Sequence, residues 1–160
     1  MNLKRLAAVL SLLLIFASGV SAQMLNPIKW RISTKMTSPT EGYVTLRAII
    51  DEGWHIYSTE LPEDGPIPTS FNFDDSSNVV FLDELRPSVA PTSYLDQAFA
   101  MELKCWEKSV SFTRNFRLKD DCDKGEIVVT VKFMGCNDMN CLPPKTETLK
   151  IVTKPFKTDK

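Results

Sequence analysis

The sequence predicts an all-β fold, an antiparallel β-sandwich of immunoglobulin type. Three observations predict it. Short apolar–polar alternations recur along the chain, turn-forming residues separate them, and no window sustains the period of an amphipathic helix. Eight or nine short strands in one domain suit two packed antiparallel sheets. The Cys…Trp…Cys spacing of antibody domains is absent, so the class rests on strand number and patterning.

The elements follow in order. Ile28–Ile32 alternates apolar and polar residues, the period of a half-buried strand, and Val44–Ile50 does the same. Shorter candidates lie at Trp54–Ser58, Thr69–Phe73, Val79–Leu85 and Ala100–Trp106. Val110, Phe112, Phe116 and Leu118 share one face of a longer strand, which Arg114 breaches, as a strand near an edge can tolerate. Ile127, Val129, Val131 and Phe133 line another, and Leu149 and Ile151 mark the last. Turns are signalled at Glu52-Gly53, Pro62–Pro68, Asp74–Asn78, Glu107–Ser109 and Asp120–Gly125. Lys154–Lys160 reads as a polar tail.

Residues 1–22 stand apart from the fold. Lys4 and Arg5 precede an apolar run from Leu6 to Phe16, and Val20-Ser21-Ala22 offers small residues for cleavage before Gln23. This is the layout of a secretory signal peptide, and the run is too short for a spanning helix. No cysteine near the cleavage point invites a lipid anchor. The expected domain is residues 23–160, one soluble unit with no later membrane span. Without Lys4 and Arg5 it carries 17 basic and 20 acidic groups. No basic footprint for nucleic acid exists. Gly-rich phosphate loops and Gly-x-Ser-x-Gly elbows are absent. His55 is the single histidine, and beside Trp54 in a strand it reads first as structural. The acidic pairs Asp74-Asp75 and Asp120-Asp121 read as solvated turns.

The four cysteines carry most of the functional information. A domain of this size buries a real core without disulfides, so they need another explanation. Cys136 and Cys141 lie in Gly135-Cys136-Asn137-Asp138-Met139-Asn140-Cys141-Leu142-Pro143-Pro144, between two strands and among turn formers. A hairpin there could fold the two back to the Cα separation of about 5.5–6 Å that a disulfide prefers. As a staple the bond is worth only about 2 kcal/mol, because its loop is short. At an exposed tip it is open to another protein's thiolate. The alternative is a plain hairpin clip in a redox-silent interaction module. A hairpin offers no helix dipole, and Asp138 opposes a nearby thiolate, so the pair is expected to be unactivated. Cys105 reads as a small buried hydrophobe and Cys122 as exposed. A bond between them is disfavoured, because their turns lie at opposite ends of the Val110–Leu118 strand.

Two metal readings compete with this one. Cys136, Cys141, Met139 and Met134 are soft ligands that would suit Cu(I) in a carrier. Methionines in β proteins more often pack, however. The spacing of the four cysteines contains one knuckle-like pair only, which does not suit zinc. No metal and no cofactor are expected.

The Gly135–Pro144 segment, followed by a short strand, resembles the active-site hairpin of the N-terminal periplasmic domain of DsbD. DsbD is the transmembrane thiol:disulfide interchange protein of Gram-negative bacteria. Gly53-Trp54-His55-Ile56-Tyr57-Ser58 resembles that family's Gly-aromatic-x-aliphatic-Tyr strand. Gly65-Pro66-x-Pro68-Thr69-x-Phe71 is similar to a further segment, and Tyr94–Met101 falls where the family has its cap loop. The resemblance covers about residues 28–153.

The resemblance implies an immunoglobulin-like sandwich with the redox pair at one end. It implies that Cys141 forms the mixed disulfide and Cys136 resolves it. Asp96, Gln97, Ala98 and Phe99 would cap the pair, and Tyr57 and His55 would line the site. Gln97 and Ala98 stand where an acidic and an aromatic residue are expected. The implied partners are thioredoxin-like periplasmic proteins. This sequence lacks the transmembrane and C-terminal thioredoxin-like regions of the full-length protein. The implied electron source is therefore a membrane-embedded thiol reductant on a separate chain. The implied location is the periplasm.

Overall fold

The computed structural model describes residues 25–74, 78–119 and 122–157. The signal-peptide expectation for residues 1–22 lies outside them, as do Asp75, Asp120 and Asp121. Among the described residues the chain forms strands and no helix. Twelve strands run in order: β1 (Ile28–Met36), β2 (Glu41–Ile50), β3 (His55–Tyr57), β4 (Ser70–Phe73), β5 (Val79–Phe81), β6 (Arg86–Pro87), β7 (Thr92–Asp96), β8 (Met101–Glu107), β9 (Ser109–Leu118), β10 (Glu126–Phe133), β11 (Gly135–Cys136) and β12 (Lys145–Val152). All pairings are antiparallel.

Two sheets make the immunoglobulin-like sandwich. One has the order β1-β2-β9, with β5 and β6 both on the far side of β9, and the other has the order β12-β10-β4. Alternation decides which residues face inward. In β2, Val44, Leu46, Ala48 and Ile50 are buried, and in β10 Ile127, Val129, Val131 and Phe133 are. Phe112 sits at the centre, with its ring centroid 4.7 Å from Phe71, 5.1 Å from Trp106 and 6.0 Å from Trp30.

Several expectations are corrected here. The strand predicted at Val79–Leu85 ends at Phe81. Leu82 N–H still donates to the Asn115 carbonyl at 3.0 Å, and the Asp83 side chain then takes the place of a backbone rung, accepting from the Asn115 backbone N–H at 2.8 Å and side-chain amide at 2.7 Å. Pairing with β9 resumes only at β6. The strand carrying Arg114 is not an edge, because β9 lies between β2 and β5/β6. Its core face tolerates Arg114 for another reason. The guanidinium lies over the rings of Phe73 and Phe81, 4.9 and 4.4 Å from their centroids, and Nε donates to the Asp83 carbonyl at 2.7 Å. An arginine can lay its stem on apolar surface and its head over aromatic faces, so the charge is accommodated at this half-buried position.

A third sheet has the order β11-β3-β8-β7. Strand β3 is buried on both sides, and this is what joins the sheet to the core. Ile56 enters the main core with Trp106, while Tyr57 enters a smaller cluster with Leu103, Met134 and Cys136. Gly53, at φ 77°, makes the turn that leads into β3. A side chain there would be strained, which accounts for glycine at that place.

Candidate functional site

The Gly135–Pro144 hairpin is built from very local rules. Gly135 and Cys136 pair with Ile56 and His55 across β11 and β3. A side chain at Gly135 would meet Ile28 Cγ1 at 3.0 Å, so glycine lets the hairpin lie close on β1. The Asn137 side chain accepts from the backbone N–H groups of Met139 (3.0 Å) and Asn140 (2.7 Å), which shapes the tip. Asn137 N–H donates to the Asn140 carbonyl, and Leu142 N–H to the Gly135 carbonyl, both at 2.9 Å. Cys136 and Cys141 are thus direct cross-strand partners, and they are disulfide-bonded with Cα atoms 4.1 Å apart. That is closer than the expected 5.5–6 Å, because strand pairing and not a wide loop brings them together.

The two cysteines differ in exposure. Cys136 is 1% exposed and packs with Tyr57, Leu103 and Met134. Cys141 is exposed and borders a cavity of about 330 Å³, together with His55, Tyr94, Leu95, Asp96, Gln97, Ala98, Met139 and the rest of the hairpin tip.

The expected cap is only partly a loop. Its first residues, Tyr94–Asp96, belong to strand β7, which pairs with β8, and its last, Met101, begins β8. Asp96, 4% exposed, ties it to the site. Its Oδ1 accepts from the N–H groups of Ala98 (2.8 Å) and Phe99 (3.2 Å), and its Oδ2 accepts from the hydroxyls of Tyr57 (2.7 Å) and Tyr94 (2.6 Å). Phe99 packs edge-on to Tyr57 and lies against the Cys136 cluster. Ala98 contributes only its backbone, and Gln97 lies exposed at the cavity wall. Ala100 turns the chain back with φ 52°, an uncommon conformation for a residue other than glycine.

The hydrogen bonds fix where the protons lie. Tyr94 gives its one hydroxyl proton to Asp96, so it accepts from His55, whose Nε2 is 2.8 Å away. Tyr57 gives its proton to Asp96 as well, so its oxygen turns a lone pair toward Cys141 Sγ at 3.8 Å. Burial pulls the His55 pKa below 6.5, against the pull of Asp96, Glu107 and Asp138. Burial pushes Asp96 up, but the hydrogen bonds from Tyr94, Tyr57, Phe99 and Ala98 outweigh it and hold the carboxyl below its ordinary value. Both tyrosines are raised, first by burial and then by their bonds to Asp96. At neutral pH the row is a neutral imidazole, two neutral phenols and one carboxylate.

The structure therefore brings His55, Tyr57, Asp96, Phe99, Cys136 and Cys141 together. Sequence reasoning missed Tyr94 as a site residue. The signal was available, since Tyr94 lies two residues before Asp96 and a strand puts both on one face. Cys105 and Cys122 are not bonded to each other. Cys105 is buried as expected, and burial pushes its thiol up to about 12. Cys122 is half-buried and not exposed. Met134 is core packing, whereas Met139 is 84% exposed. Among the described residues, no group of three or more His, Cys, Asp or Glu side chains gathers to hold a metal ion.

An immunoglobulin-like sandwich with a disulfide at the tip of an end hairpin is the frame of a thiol–disulfide exchange domain. The chain belongs to the family of the N-terminal domain of the thiol:disulfide interchange protein DsbD, whose model matches residues 22–153. Two solved structures share its fold. The N-terminal periplasmic domain of ScsB from Proteus mirabilis matches with a TM-score of 0.57 at 14% identity, over 82% of this chain and 49% of that one. This chain thus spans about half the length of that structure. The reduced N-terminal domain of DsbD from Neisseria meningitidis matches with a TM-score of 0.51 at 13% identity, over 86% of this chain and 100% of that one. No curated protein matches.

Proposed function

We propose that this protein is a periplasmic reductant domain. It passes two electrons from a membrane-embedded thiol reductant to thioredoxin-like partners through Cys136 and Cys141. The single observation that carries the assignment of roles is the difference in access, an exposed Cys141 bonded to a buried Cys136. Only an exposed sulfur can be approached in line by another protein's sulfur.

In the reduced protein, Cys141 loses its proton and its thiolate attacks a partner disulfide. The partner's leaving thiolate takes up a proton, and a Cys141–partner bond forms. Cys136 then loses its proton and attacks Cys141 Sγ. The internal disulfide re-forms, and the partner leaves as a dithiol after protonation. Two electrons and two protons have moved. The donor reverses these steps. Tyr57 offers Cys141 a lone pair and not a proton, which favours the thiol over the thiolate. We assign Asp96, Gln97, Ala98 and Phe99 to the cap, and Tyr57 and His55, with Tyr94, to the lining that holds it. Residues 1–22 are the export signal in this reading, and 23–160 the working domain.

Two measurements test it. The pair is equilibrated in thiol/disulfide buffers, with the Cys136→Ala, Cys141→Ala double variant as control for Cys105 and Cys122. A potential between about -180 and -270 mV is expected, and one below about -300 mV would make the bond a structural clip. Cys136→Ser should trap a mixed disulfide with an oxidised thioredoxin, and Cys141→Ser should trap none. The opposite pattern would exchange the two roles.

A further inference from the structure

We propose that the outer face of β1 and β2 docks on an anionic phospholipid surface, whose headgroup phosphates it takes with Lys29, Arg31, Lys35 and Arg47. The inference stands on register and charge and does not depend on the exchange reading.

Alternation turns Val44, Leu46 and Ala48 of β2 into the core and leaves Arg47 outside. On β1 the same period turns Lys29, Arg31 and Lys35 outward, and all four cations are exposed. The register sets Arg31 directly opposite Arg47. Two like charges there, with Cβ atoms about 5 Å apart, weaken the sheet. Their neighbours on the face offer no carboxylate. Arg31 lies between Lys29 and Ser33, Arg47 lies between Thr45 and Ile49, and across β9 Arg47 meets Ser111. Among the described residues Arg31, Lys35 and Arg47 make no ion pair, and Lys29 reaches only Asp51, at 3.9 Å.

Two guanidinium groups among hydroxyls are the donors a phosphate takes. A single phosphate would occupy the arginine pair alone. Lys29 and Lys35 extend the row along β1 to about 20 Å, at about 3.3 Å per residue, which suits a layer of headgroups. A protein interface is built around an apolar centre and is poor in lysine. None of the exposed large hydrophobic residues lies on β1 or β2, which favours lipid over a protein partner. Residues 23–160 carry more acidic than basic groups, so the attraction has to come from this face and not from net charge. No residue of β1 or β2 lines the Cys141 cavity, so docking here leaves that cavity uncovered.

The test mixes the exported protein with phosphatidylglycerol vesicles, with phosphatidylcholine vesicles and with inorganic phosphate. Flotation reads the partition coefficient. The wild type should float with phosphatidylglycerol and not with phosphatidylcholine, and rising salt should release it. Each cation removed costs about fivefold, so Arg31→Ser with Arg47→Ser should lower the coefficient about thirtyfold. Lys104→Ser with Lys132→Ser removes the same charge from exposed positions on β8 and β10 and should change it less than about twofold. Arg47→Glu puts a carboxylate opposite Arg31, which favours the pairing, so its Tm should hold while its binding falls. A wild type that ignores phosphatidylglycerol vesicles overturns the proposal. Equal binding to the two lipids does so too, and so does an equal fall in the two double variants, which would be an effect of net charge. Saturable binding of inorganic phosphate without vesicle binding would also overturn it and leave the arginine pair to a free anion.

Discussion

Replacing Asp96 with asparagine should loosen the cap and lower stability at neutral pH, but not in acid. The carboxylate is buried and accepts four hydrogen bonds, two from backbone and two from hydroxyls. Asparagine keeps the shape but has one acceptor atom. Its oxygen can serve the Ala98 and Phe99 N–H groups, and its NH2 then faces the two hydroxyls, which must turn to accept. Two bonds to a charged acceptor, worth about 1.5–3 kcal/mol each, become neutral bonds of about 1 kcal/mol, a net loss of about 2 kcal/mol. For a domain of this size that lowers the Tm by about 8 °C. The pH dependence follows from the sign of the shift. The folded-state pKa of Asp96 lies below its ordinary value of 3.8, so the carboxylate's contribution is complete above that value. It is lost as pH falls through the depressed folded value. The gap between wild type and Asp96→Asn should therefore be full at pH 7 and should close as pH is lowered below about 4. Thermal unfolding of the oxidised proteins measures it. A variant within about 2 °C of wild type at pH 7, or a gap that persists in acid, would refute the reasoning.

Further outcomes are expected. His55 is neutral and its pKa is lowered, so the unfolded chain takes up a proton before the folded one does. Stability should fall as pH drops below about 6.5, and His55→Gln, which keeps a donor for Tyr94, should flatten that slope in urea titrations between pH 7 and 5. Cys105, with its pKa pushed up to about 12, should resist iodoacetamide in the native reduced protein and react only on unfolding, as peptide mapping would show. Trp106 donates to the Val89 carbonyl at 3.0 Å, whereas Trp30 Nε1 has no partner among the described residues. Trp106→Phe should therefore cost about 1 kcal/mol more than Trp30→Phe in denaturant unfolding, and equal costs would contradict that.

The longer strands and the bonded cysteine hairpin were legible in the sequence. Alternation at Val110–Leu118 and Ile127–Phe133 named the buried faces correctly, because a strand's two-residue period is a local property. The hairpin was legible because its turn formers and both cysteines lie within ten residues. The tertiary structure decided the rest. Nothing local shows that Val79–Leu85 breaks at Asp83, because the break comes from hydrogen bonds to Asn115, thirty-two residues away. Nothing local shows that Arg114 is held between Phe73 and Phe81, which lie on different strands. The row from His55 through Tyr94 and Asp96 to Tyr57 joins segments thirty-nine residues apart, and it exists only because β7 and β3 both pair with β8. The difference in access between Cys136 and Cys141 was equally hidden. Both are cysteines in one short hairpin, and only the cluster that Tyr57, Leu103 and Met134 form around Cys136 buries one and leaves the other to solvent.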